Sequence, residues 1–353
     1  MSAVAGADGS AVIGDPSDAG AVYGRGYFGT PAGGVLTLDR FEAVYLAEMG
    51  RLTVVDGRGR PVLWSELFRR AVRSESGFGV RYLVYRDLRQ RGYVARATPA
   101  PAAFAVLPRG GILHKTPSRY WVQPYSERAP FDLDELFRLA ERAQGAKKTL
   151  LIAVVDEESD LTYYRIRRPS PTGSLPPAPL AAPVEGWLSE DRVLVLEPPA
   201  VEALGHALAY GSRIGDRLEL SLIEAAYLQS TGQLHLRDSR TRRLVPPEKF
   251  RRRALRLDPR FRERLAAYQD LRSRALVVKT GFKYGAHFRA YPRRPEHAHA
   301  RYLVQAVPEG HRAPWPEVAG GVRVAQGVRK QFLLGAVATG GTVRFLELER
   351  IRP

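Results

Sequence analysis

Two stretches of the chain combine strand-like and helix-like spacing of apolar residues. In VLTLDRFEAVYLAEMGRL, the residues Phe41, Tyr45 and Met49 recur at the spacing of one helix face. RLELSLIEAAYLQSTGQL has the same form. Asp39 or Ser221 stands before each helical segment, where an N-cap belongs. We therefore expect a strand followed by an amphipathic helix in both stretches.

The rest of each half follows one order of predicted elements. VRYLVYRDLRQRGY predicts a basic amphipathic helix that ends at Gly92. Strands rich in β-branched and aromatic residues follow, including one from Tyr302 to Val307, then helices near 133–148 and 317–330, then closing strands such as TLLIAVV and LTYYRIR. The predicted fold class is α/β (α+β). Each half is a helix-rich front domain plus an α/β rear domain with a mixed sheet flanked by helices, as in restriction-endonuclease-like folds.

One offset relates the two halves along their length. EAVYL matches EAAYL, RYWVQ matches RYLVQ, and the lysine before TLLIAVV matches the lysine before QFLLGAV, each pair 182 positions apart. Chance does not keep one offset across a whole chain, so the sequence predicts a tandem duplication. The predicted boundaries are 1–168 for the first repeat (front domain to about 93, rear domain from about 94) and 185–353 for the second repeat (front domain 185–275, rear domain 276–353).

Residues 169–184 are predicted to link the two repeats. They contain the whole of PSPTGSLPPAPLAAP, whose prolines lack backbone donors and favour extended polyproline geometry. We therefore expect a semi-rigid connection between the halves.

The net charge points to nucleic acid as the partner. The chain carries a formal charge of +17, and arginine supplies nearly all of it because only seven lysines occur. Guanidinium groups match phosphate oxygens and stack on bases, which favours nucleic acid over a membrane surface. The alternative is that arginine serves as the ordinary surface cation of this protein.

Composition also argues against several classes of protein. Without cysteine the chain has neither disulfides nor thiolate metal sites, which fits a cytoplasmic protein. The first twenty residues lack a basic start and a continuous apolar core, so no signal peptide is predicted. No run of about 18 apolar residues occurs, so no membrane span is predicted.

The two rear domains differ where chemistry would take place. When FAVLP is aligned with FRAYP, Leu107 lies opposite Tyr291. Pro117 lies opposite His299, whereas a lysine is kept at both 148 and 330. A copy that keeps its core but lacks the tyrosine and the histidine indicates one working site and one scaffold. The alternative is that Tyr291 and His299 are surface residues that drifted.

Tyr291, His299 and Lys330 could cleave RNA without a metal. Such cleavage needs a base for the 2′-hydroxyl, an acid for the departing 5′-oxygen and a cation for the charge that develops at phosphorus. Histidine titrates near neutrality and suits the acid role, whereas a tyrosine serves as base only where positive charge lowers its pKa. The cations predicted to lower it are Lys330, Arg329 and Arg293.

Two metal-dependent alternatives are disfavoured. His297 and His299 would share one face of a strand and could bind zinc, but no cysteine and no obvious third ligand accompany them. A metal-dependent nuclease would need an acid two residues before a lysine on a strand, and no lysine here has one. The sequence therefore predicts neither a metal nor a cofactor. His287 and His311 are predicted to be structural or solvent-facing.

Arg323 is a candidate base-binding residue. It precedes Lys330 by seven positions, two turns of the predicted helix, so both side chains are expected on one face. An arginine there could stack on an unpaired base, which is how RNA bulges are usually held. The alternative is an exposed helix arginine in an arginine-rich chain.

Four motifs resemble those of a known family. YGAHFRAY, HARYLV, VRVAQGVRK and the terminal RIRP resemble the signatures of the archaeal tRNA-splicing endonucleases (tRNA-intron lyases) of the two-repeat, homodimeric type, and the similarity covers nearly the whole chain. The resemblance implies that Tyr291 is the general base, His299 the general acid and Lys330 the transition-state stabiliser. His297 remains an alternative to His299, because the spacing of eight residues from Tyr291 to His299 is shorter than expected for the family.

The resemblance also implies a substrate and its contacts. The substrate is precursor tRNA whose intron boundaries form a bulge-helix-bulge, cut without a metal to leave 2′,3′-cyclic phosphate and 5′-hydroxyl ends. Arg323 corresponds to a cation that pinches a bulged base, with Arg350 or Arg352 as its partner, and Arg293 is a further RNA-binding candidate. The alternative function is a non-catalytic RNA-binding or assembly subunit.

An acidic turn is the candidate assembly element. Members of the family insert an acidic loop into a basic cleft of another unit, and the first repeat offers Asp156, Glu157, Glu158 and Asp160 between its last strands. The matching turn at 338–341 carries no charge. Opposite charges across such a joint fix register and partner choice, so the resemblance implies a homodimer of four pseudo-equivalent units. The alternative is a solvated acidic turn.

Overall fold

A computed structural model describes residues 1–99, 101–175 and 180–353. Contacts divide the described chain into two units. The first unit is Met1–Ala129, Leu139–Arg165 and Ile351–Pro353, and the second is Pro130–Arg138 and Ile166–Arg350. Residues 176–179 of the predicted linker lie outside the described residues.

The first repeat runs from the start of the chain to the end of strand β12. Its helices are α1 (Pro16–Gly24), α2 (Arg40–Glu48), α3 (Trp64–Ser74), α4 (Phe78–Gln90) and α5 (Leu133–Gly145). Its strands are β1 (Ser2–Ala5), β2 (Ala11–Ile13), β3 (Thr30–Ala32), β4 (Val35–Leu38), β5 (Thr53–Val55), β6 (Pro61–Val62), β7 (Ala95–Ala97), β8 (Phe104–Val106), β9 (Tyr120–Ser126), β10 (Pro130–Asp132), β11 (Thr149–Val155) and β12 (Leu161–Arg167).

The second repeat follows nearly the same order. Its helices are α6 (Pro198–Val201), continued by a π-helical turn (Glu202–Ala207), α7 (Leu222–Ser230), α8 (Pro247–Leu257), α9 (Phe261–Ser273), a 3₁₀ turn (Phe282–Tyr284) and α10 (Trp315–Gly327). Its strands are β13 (Val184–Ser189), β14 (Arg192–Val195), β15 (Ser212–Ile214), β16 (Arg217–Ser221), β17 (Leu234–Asp238), β18 (Val277–Thr280), β19 (Phe288–Tyr291), β20 (Tyr302–Pro308), β21 (Arg312–Pro314), β22 (Gln331–Val337) and β23 (Val343–Ile351).

The predicted strand–helix unit occurs in both repeats. Asp39 and Ser221 each accept a hydrogen bond from the backbone N–H three residues later, while Glu42 and Glu224 accept from the N–H of the cap residue. These capping boxes satisfy free N–H groups of the first turn and fix where α2 and α7 begin. The two predicted N-caps are confirmed.

Each front domain also contains a sheet that the sequence analysis did not predict. The strand orders are β3-β4-β2-β1-β5-β6 and β15-β16-β14-β13-β17. These strands contain between two and six residues, which is too short for a clear alternation of apolar and polar positions. The front domains are helix-rich, as predicted, and each also contains this sheet of short strands.

Both rear domains are built on a mixed sheet. In the second unit the order is β18-β19-β20-β22-β23, where β20 and β22 are parallel and the other pairs antiparallel. In the first unit β7, β8 and β9 form antiparallel pairs and β9 is parallel to β11. A parallel pair needs a crossover connection, which α5 and α10 supply. The predicted α/β class is confirmed.

The front and rear domains of each repeat share a core around a buried arginine. The guanidinium carbon of Arg89 lies 3.7 Å from the centre of the Phe28 ring, and that of Arg272 lies 4.2 Å from the centre of Tyr210. Both pairs occupy equivalent positions, so this cation–aromatic contact belongs to the repeated unit. No helix in the described part of the chain is long and apolar enough to cross a membrane.

Candidate active site

Three strand ends of the second rear sheet meet at one edge. Strand β19 ends there, while β20 and β22 begin there. The backbone of Arg301 connects them, because its N–H donates to the Ala290 carbonyl at 3.0 Å and its carbonyl accepts from the Gln331 N–H at 2.9 Å. The topology therefore brings three separate segments of the chain together.

The three predicted catalytic residues adjoin this connection. Tyr291 is the last residue of β19, His299 lies two residues before Arg301, and Lys330 is the residue before β22. Their backbones thus lie at one sheet edge. Among the residues that the structure describes, no hydrogen bond joins the three side chains to one another.

The phenol of Tyr291 is buried. Only 7% of the residue is exposed, and it packs in a cluster with Leu175, Ala209, Val277 and Ala300. Leu175 comes from the predicted linker, and its N–H donates to the Ala275 carbonyl at 3.0 Å. Ser174 and Leu175 are therefore held against the second rear domain, where Leu175 helps to cover the phenol.

Burial raises the pKa of Tyr291, and Arg289 opposes the rise. The guanidinium carbon of Arg289 lies 5.8 Å from the centre of the Tyr291 ring. The sequence analysis named Lys330, Arg329 and Arg293 as candidate cations for lowering this pKa. None of the three is among the groups that act on the phenol here, and desolvation dominates. Arg289, which the sequence analysis did not select, is the cation beside the phenol.

Lys330 lies beyond the end of α10. The preceding residue, Arg329, has a φ of 55°, and the N–H of Lys330 donates to the Ala325 carbonyl at 2.8 Å while that of Arg329 donates to Gln326 at 3.1 Å. This is a Schellman motif with arginine in the left-handed position that glycine usually occupies. The helix therefore ends three residues earlier than predicted, and the prediction that Arg323 and Lys330 share a helix face is wrong.

The ammonium group of Lys330 lies beside an aromatic ring that the sequence analysis missed. Its Nζ donates to the Val328 carbonyl at 3.2 Å and lies 5.5 Å from the centre of the Tyr284 ring. Tyr284 also acts electrostatically on Tyr291, so it neighbours two of the predicted catalytic residues. The available signal was its place in YGAHFRAY, where Gly285 at a φ of 64° closes the turn.

His297 and His299 lie in the loop between β19 and β20, and both are exposed. The His297 N–H donates to the Arg294 carbonyl at 3.0 Å in a turn. The expectation that the two imidazoles share a strand face is therefore wrong. In the described part of the chain, no three His, Cys, Asp or Glu side chains are grouped to hold a metal ion.

His287 is structural, as predicted. Its Nδ1 accepts a hydrogen bond from the Ala306 N–H at 3.1 Å, which requires a neutral ring. Burial, reinforced by Arg264 and Arg260, lowers the pKa of His287 to about 4. The ring is therefore neutral at physiological pH and fastens the loop before β19 to β20.

The predicted RNA-binding arginines are all exposed. Arg323 lies on α10, Arg293 in the loop after β19, and Arg350 near the end of β23. Arg352 follows that strand and groups with the first unit. Their exposure is compatible with contact to a large ligand, and their RNA-binding roles stay predictions.

The acidic turn of the first repeat is exposed and internally braced. The Asp156 carboxylate accepts from the N–H groups of Glu158 and Asp160 at 3.0 and 2.8 Å, and Glu157 forms an ion pair with Arg128 at 2.5 Å. All four predicted assembly carboxylates reach solvent. Their role in assembly stays a prediction.

The first repeat has the same sheet edge without the same side chains. The Arg119 N–H donates to the Val106 carbonyl at 2.9 Å, and the Arg119 carbonyl accepts from the Thr149 N–H at 3.0 Å, which repeats the connection made by Arg301. Leu107 and Pro117 stand where the second repeat has Tyr291 and His299. The edge is therefore retained as a frame.

Two family models match this chain, and each of them matches twice, once in each half. A model of the tRNA intron endonuclease N-terminal domain matches residues 7–68 and 184–251. A model of the tRNA intron endonuclease catalytic C-terminal domain matches residues 78–163 and 261–345. The predicted tandem duplication is thereby confirmed.

Several archaeal proteins described as tRNA-splicing endonucleases are similar to this chain over nearly its full length. The protein from Methanosarcina mazei is 37% identical over 336 residues, which are 94% of each chain. The protein from Methanosarcina acetivorans is 35% identical over 98% of each chain, and that from Halobacterium salinarum is 36% identical over 93% of each.

Proposed function

Because the chain belongs to the tRNA intron endonuclease family, we propose that it is an endonuclease that excises introns from precursor tRNA by cutting both boundaries within a bulge-helix-bulge. Family membership supports an endonuclease of tRNA splicing. The observation that carries the finer proposal is the sheet edge of the second repeat, where Tyr291, His299 and Lys330 adjoin one backbone connection.

In the proposed reaction, Tyr291 takes the proton from a 2′-hydroxyl, whose oxygen then attacks the adjacent phosphorus. Arg289 stabilises the phenolate as the base ionises in the complex, because it already lies beside the ring. Lys330 stabilises the negative charge on the non-bridging oxygens. His299 gives a proton to the departing 5′-oxygen, which leaves a 2′,3′-cyclic phosphate and a 5′-hydroxyl.

The active form is proposed to be a homodimer in which only the second repeats cut. Two such sites match two intron boundaries, and the exposed acidic turn at Asp156–Asp160 supplies charge for the joint between subunits. Recognition rests on the shape and splayed bases of the RNA and not on a long sequence. Arg323, together with Arg350 or Arg352, is proposed to hold a bulged base.

The test is incubation with a bulge-helix-bulge RNA in excess EDTA, followed by analysis of the RNA ends. We expect cyclic phosphate and 5′-hydroxyl ends, near-complete loss of cutting in Tyr291→Phe and His299→Ala, and little change in His297→Ala. A strict metal requirement, or 3′-hydroxyl products, would refute the mechanism. A loss in His297→Ala with none in His299→Ala would reassign the acid.

A non-catalytic RNA-binding subunit is the second candidate. It is favoured by the buried phenol with its raised pKa and by the exposure of both histidines in the protein without RNA. The same experiment separates the two functions, because such a subunit binds the RNA and leaves it intact.

A further inference from the structure

The sheet edge of the first repeat keeps its backbone but changes its chemistry. The connection through Arg119 has the same donors and acceptors as the one through Arg301, with distances within 0.1 Å of each other. Helix α5, which precedes β11, ends in the same Schellman motif as α10. Lys147 has a φ of 55° there, as Arg329 has after α10. The backbone frame of the proposed cutting edge is therefore preserved in the first repeat.

Leu107 and Pro117 stand at the positions of the tyrosine and the histidine, and the surrounding stretch carries cations without acidic residues. From Leu88 to Ser126 the chain contains no aspartate or glutamate. Three arginines of that stretch, Arg89, Arg91 and Arg96, bind partners inside the unit, at the Gly26 carbonyl, the Asp87 carboxylate and the Glu42 carboxylate respectively.

The remaining cations of the edge point outward. We define the cationic edge as Arg109, Lys115, Arg119 and Lys147, all of which are exposed. Within the part of the chain that the structure describes, none of the four forms an ion pair. Their positive charge is therefore available to an external anion.

Aromatic rings orient two of these cations. The guanidinium carbon of Arg109 lies 5.1 Å from the centre of the Tyr93 ring, and that of Arg119 lies 5.3 Å from the centre of Tyr120. The two rings meet edge to face at 6.3 Å. A contact between a guanidinium group and a ring uses none of the N–H groups as hydrogen-bond donors. These groups can therefore make bidentate hydrogen bonds to phosphate oxygens.

We propose that the cationic edge binds the phosphate backbone of the substrate RNA without cutting it. Uncompensated exposed cations on a rigid frame attract a polyanion, and the substrate supplies phosphates well beyond its two cleavage points. Leu107 and Pro117 offer neither a base nor an acid at the positions of Tyr291 and His299, so we expect RNA held here to stay intact. The proposal rests on the proposed function only in taking precursor tRNA as the ligand.

The test compares two triple variants that remove the same charge. Arg109→Gln/Lys115→Gln/Arg119→Gln changes the cationic edge, and Lys249→Gln/Arg252→Gln/Arg256→Gln removes three exposed cations of α8 as the matched control. Each is titrated with a bulge-helix-bulge RNA carrying a 2′-deoxy cleavage site, at 50 to 300 mM salt. Thermal unfolding and size-exclusion elution show whether folding and assembly are preserved.

For the edge variant we expect a Kd about tenfold or more above wild type and a salt dependence of log Kd lowered by about two to three ion equivalents. The control variant should change the salt dependence by less than one. Single-turnover cleavage of the unmodified RNA at saturating protein should stay within about twofold of wild type for both variants, because the cutting edge is untouched.

Several results would overturn the proposal. Equal losses in the edge and control variants would show that only net charge matters. Unchanged binding by the edge variant would remove the contact, and a dissociated dimer would show that the edge holds protein instead of RNA. If wild type binds the 2′-deoxy RNA but fails to cut the unmodified RNA, the proposed function falls, while the difference in binding between the two variants still decides the cationic edge.

Discussion

The two repeats join their front domains to their rear sheets through different numbers of side-chain contacts. In the first repeat, Nη1 of Arg96 donates to the Tyr27 carbonyl at 3.1 Å, the Gly29 carbonyl at 3.0 Å and the Glu42 carboxylate at 2.7 Å. Glu42 is 2% exposed, so this ion pair is shielded from water and salt. The arginine therefore closes the front turn, the front helix and the rear strand on one another.

The second repeat has a lysine in the same place and fewer contacts. Nζ of Lys279 donates to the Gly211 carbonyl at 2.6 Å and lies 4.0 Å from the Glu224 carboxylate. Burial lowers the pKa of this ammonium, and Glu224 opposes the change. Lys279 thus joins the front domain to the rear sheet through one hydrogen bond, whereas Nη1 of Arg96 makes three in the first repeat.

The sheet edges show the opposite trend. The second repeat carries a phenol, an imidazole and an ammonium beside one backbone connection, whereas the first keeps the connection and the lysine but has Leu107 and Pro117 in place of the other two groups. The difference suggests a division between the copies. One copy has more contacts between its front domain and its rear sheet, and the other keeps the groups that the proposed reaction requires.

The largest expected difference between the repeats is in the cleavage rate after replacement of the two equivalent lysines. We expect Lys330→Ala to lower the single-turnover cleavage rate by about 10² to 10³, the usual cost of removing one group that stabilises transition-state charge. Lys148→Ala should stay within about twofold, since its Nζ rests on the Ser118 carbonyl at 2.6 Å in the edge without Tyr and His. Rates are measured at saturating protein, and equal losses in both variants would contradict the assignment of one cutting edge.

The local elements could be predicted from the sequence because their signals are local. The caps at Asp39 and Ser221 and the apolar helix faces lie within a few residues of what they determine. The candidate site could be found because the two copies can be compared. The left-handed Arg329 could not, since no sequence signal marks an arginine with positive φ. Nor could Leu175, whose contact with Tyr291 depends on tertiary packing, whereas Tyr284 could have been selected from its place in YGAHFRAY.

The second prediction concerns the buried cations. Arg96→Met should destabilise the protein by about 3 kcal/mol, because it leaves the carboxylate of Glu42 buried without its partner. Lys279→Met should cost about 1 to 2 kcal/mol, the range for one charge-assisted hydrogen bond. Urea unfolding at pH 8 followed by circular dichroism measures both. A larger loss for Lys279→Met would reverse the comparison of the two anchors.

The third prediction concerns the dependence of folding stability on pH. One substitution should reduce this dependence in the first repeat, and the reverse substitution should introduce it in the second. Burial and the neighbouring Asp39 raise the pKa of Glu42 to about 7. A carboxyl with a raised folded pKa binds its proton more tightly when folded, so its contribution to stability falls as pH rises from about 4.5 to about 7. Asp39→Ser keeps an N-cap and removes the nearby charge, so the fall should shrink by about 1 kcal/mol.

The matched variant is Ser221→Asp, which places a carboxyl beside Glu224 and should introduce a fall of the same sign. Urea midpoints at pH 5 and pH 7.5 are compared with wild type. Differences from wild type are used because His287, with a pKa of about 4, also contributes to the pH dependence. Its contribution to folding stability is lost as pH falls below about 6.5, which is opposite to the effect of Glu42. Parallel pH profiles for wild type and both variants would rule out the carboxyl pair as the cause.

The smallest expected effect concerns the ring that Lys330 has and Lys148 lacks. Tyr284→Leu should lower the cleavage rate by about fivefold to tenfold, because a cation–π contact at a partly exposed site contributes about 1 kcal/mol and helps to position the ammonium. Tyr284→Phe keeps the ring and should stay within about twofold, which separates the ring from the hydroxyl. KM should change little in both variants, since the ring adjoins the ammonium and the phenol and not the proposed RNA-binding arginines. A loss in the phenylalanine variant as large as in the leucine variant would assign the effect to the hydroxyl, and with it to the electrostatics of Tyr291.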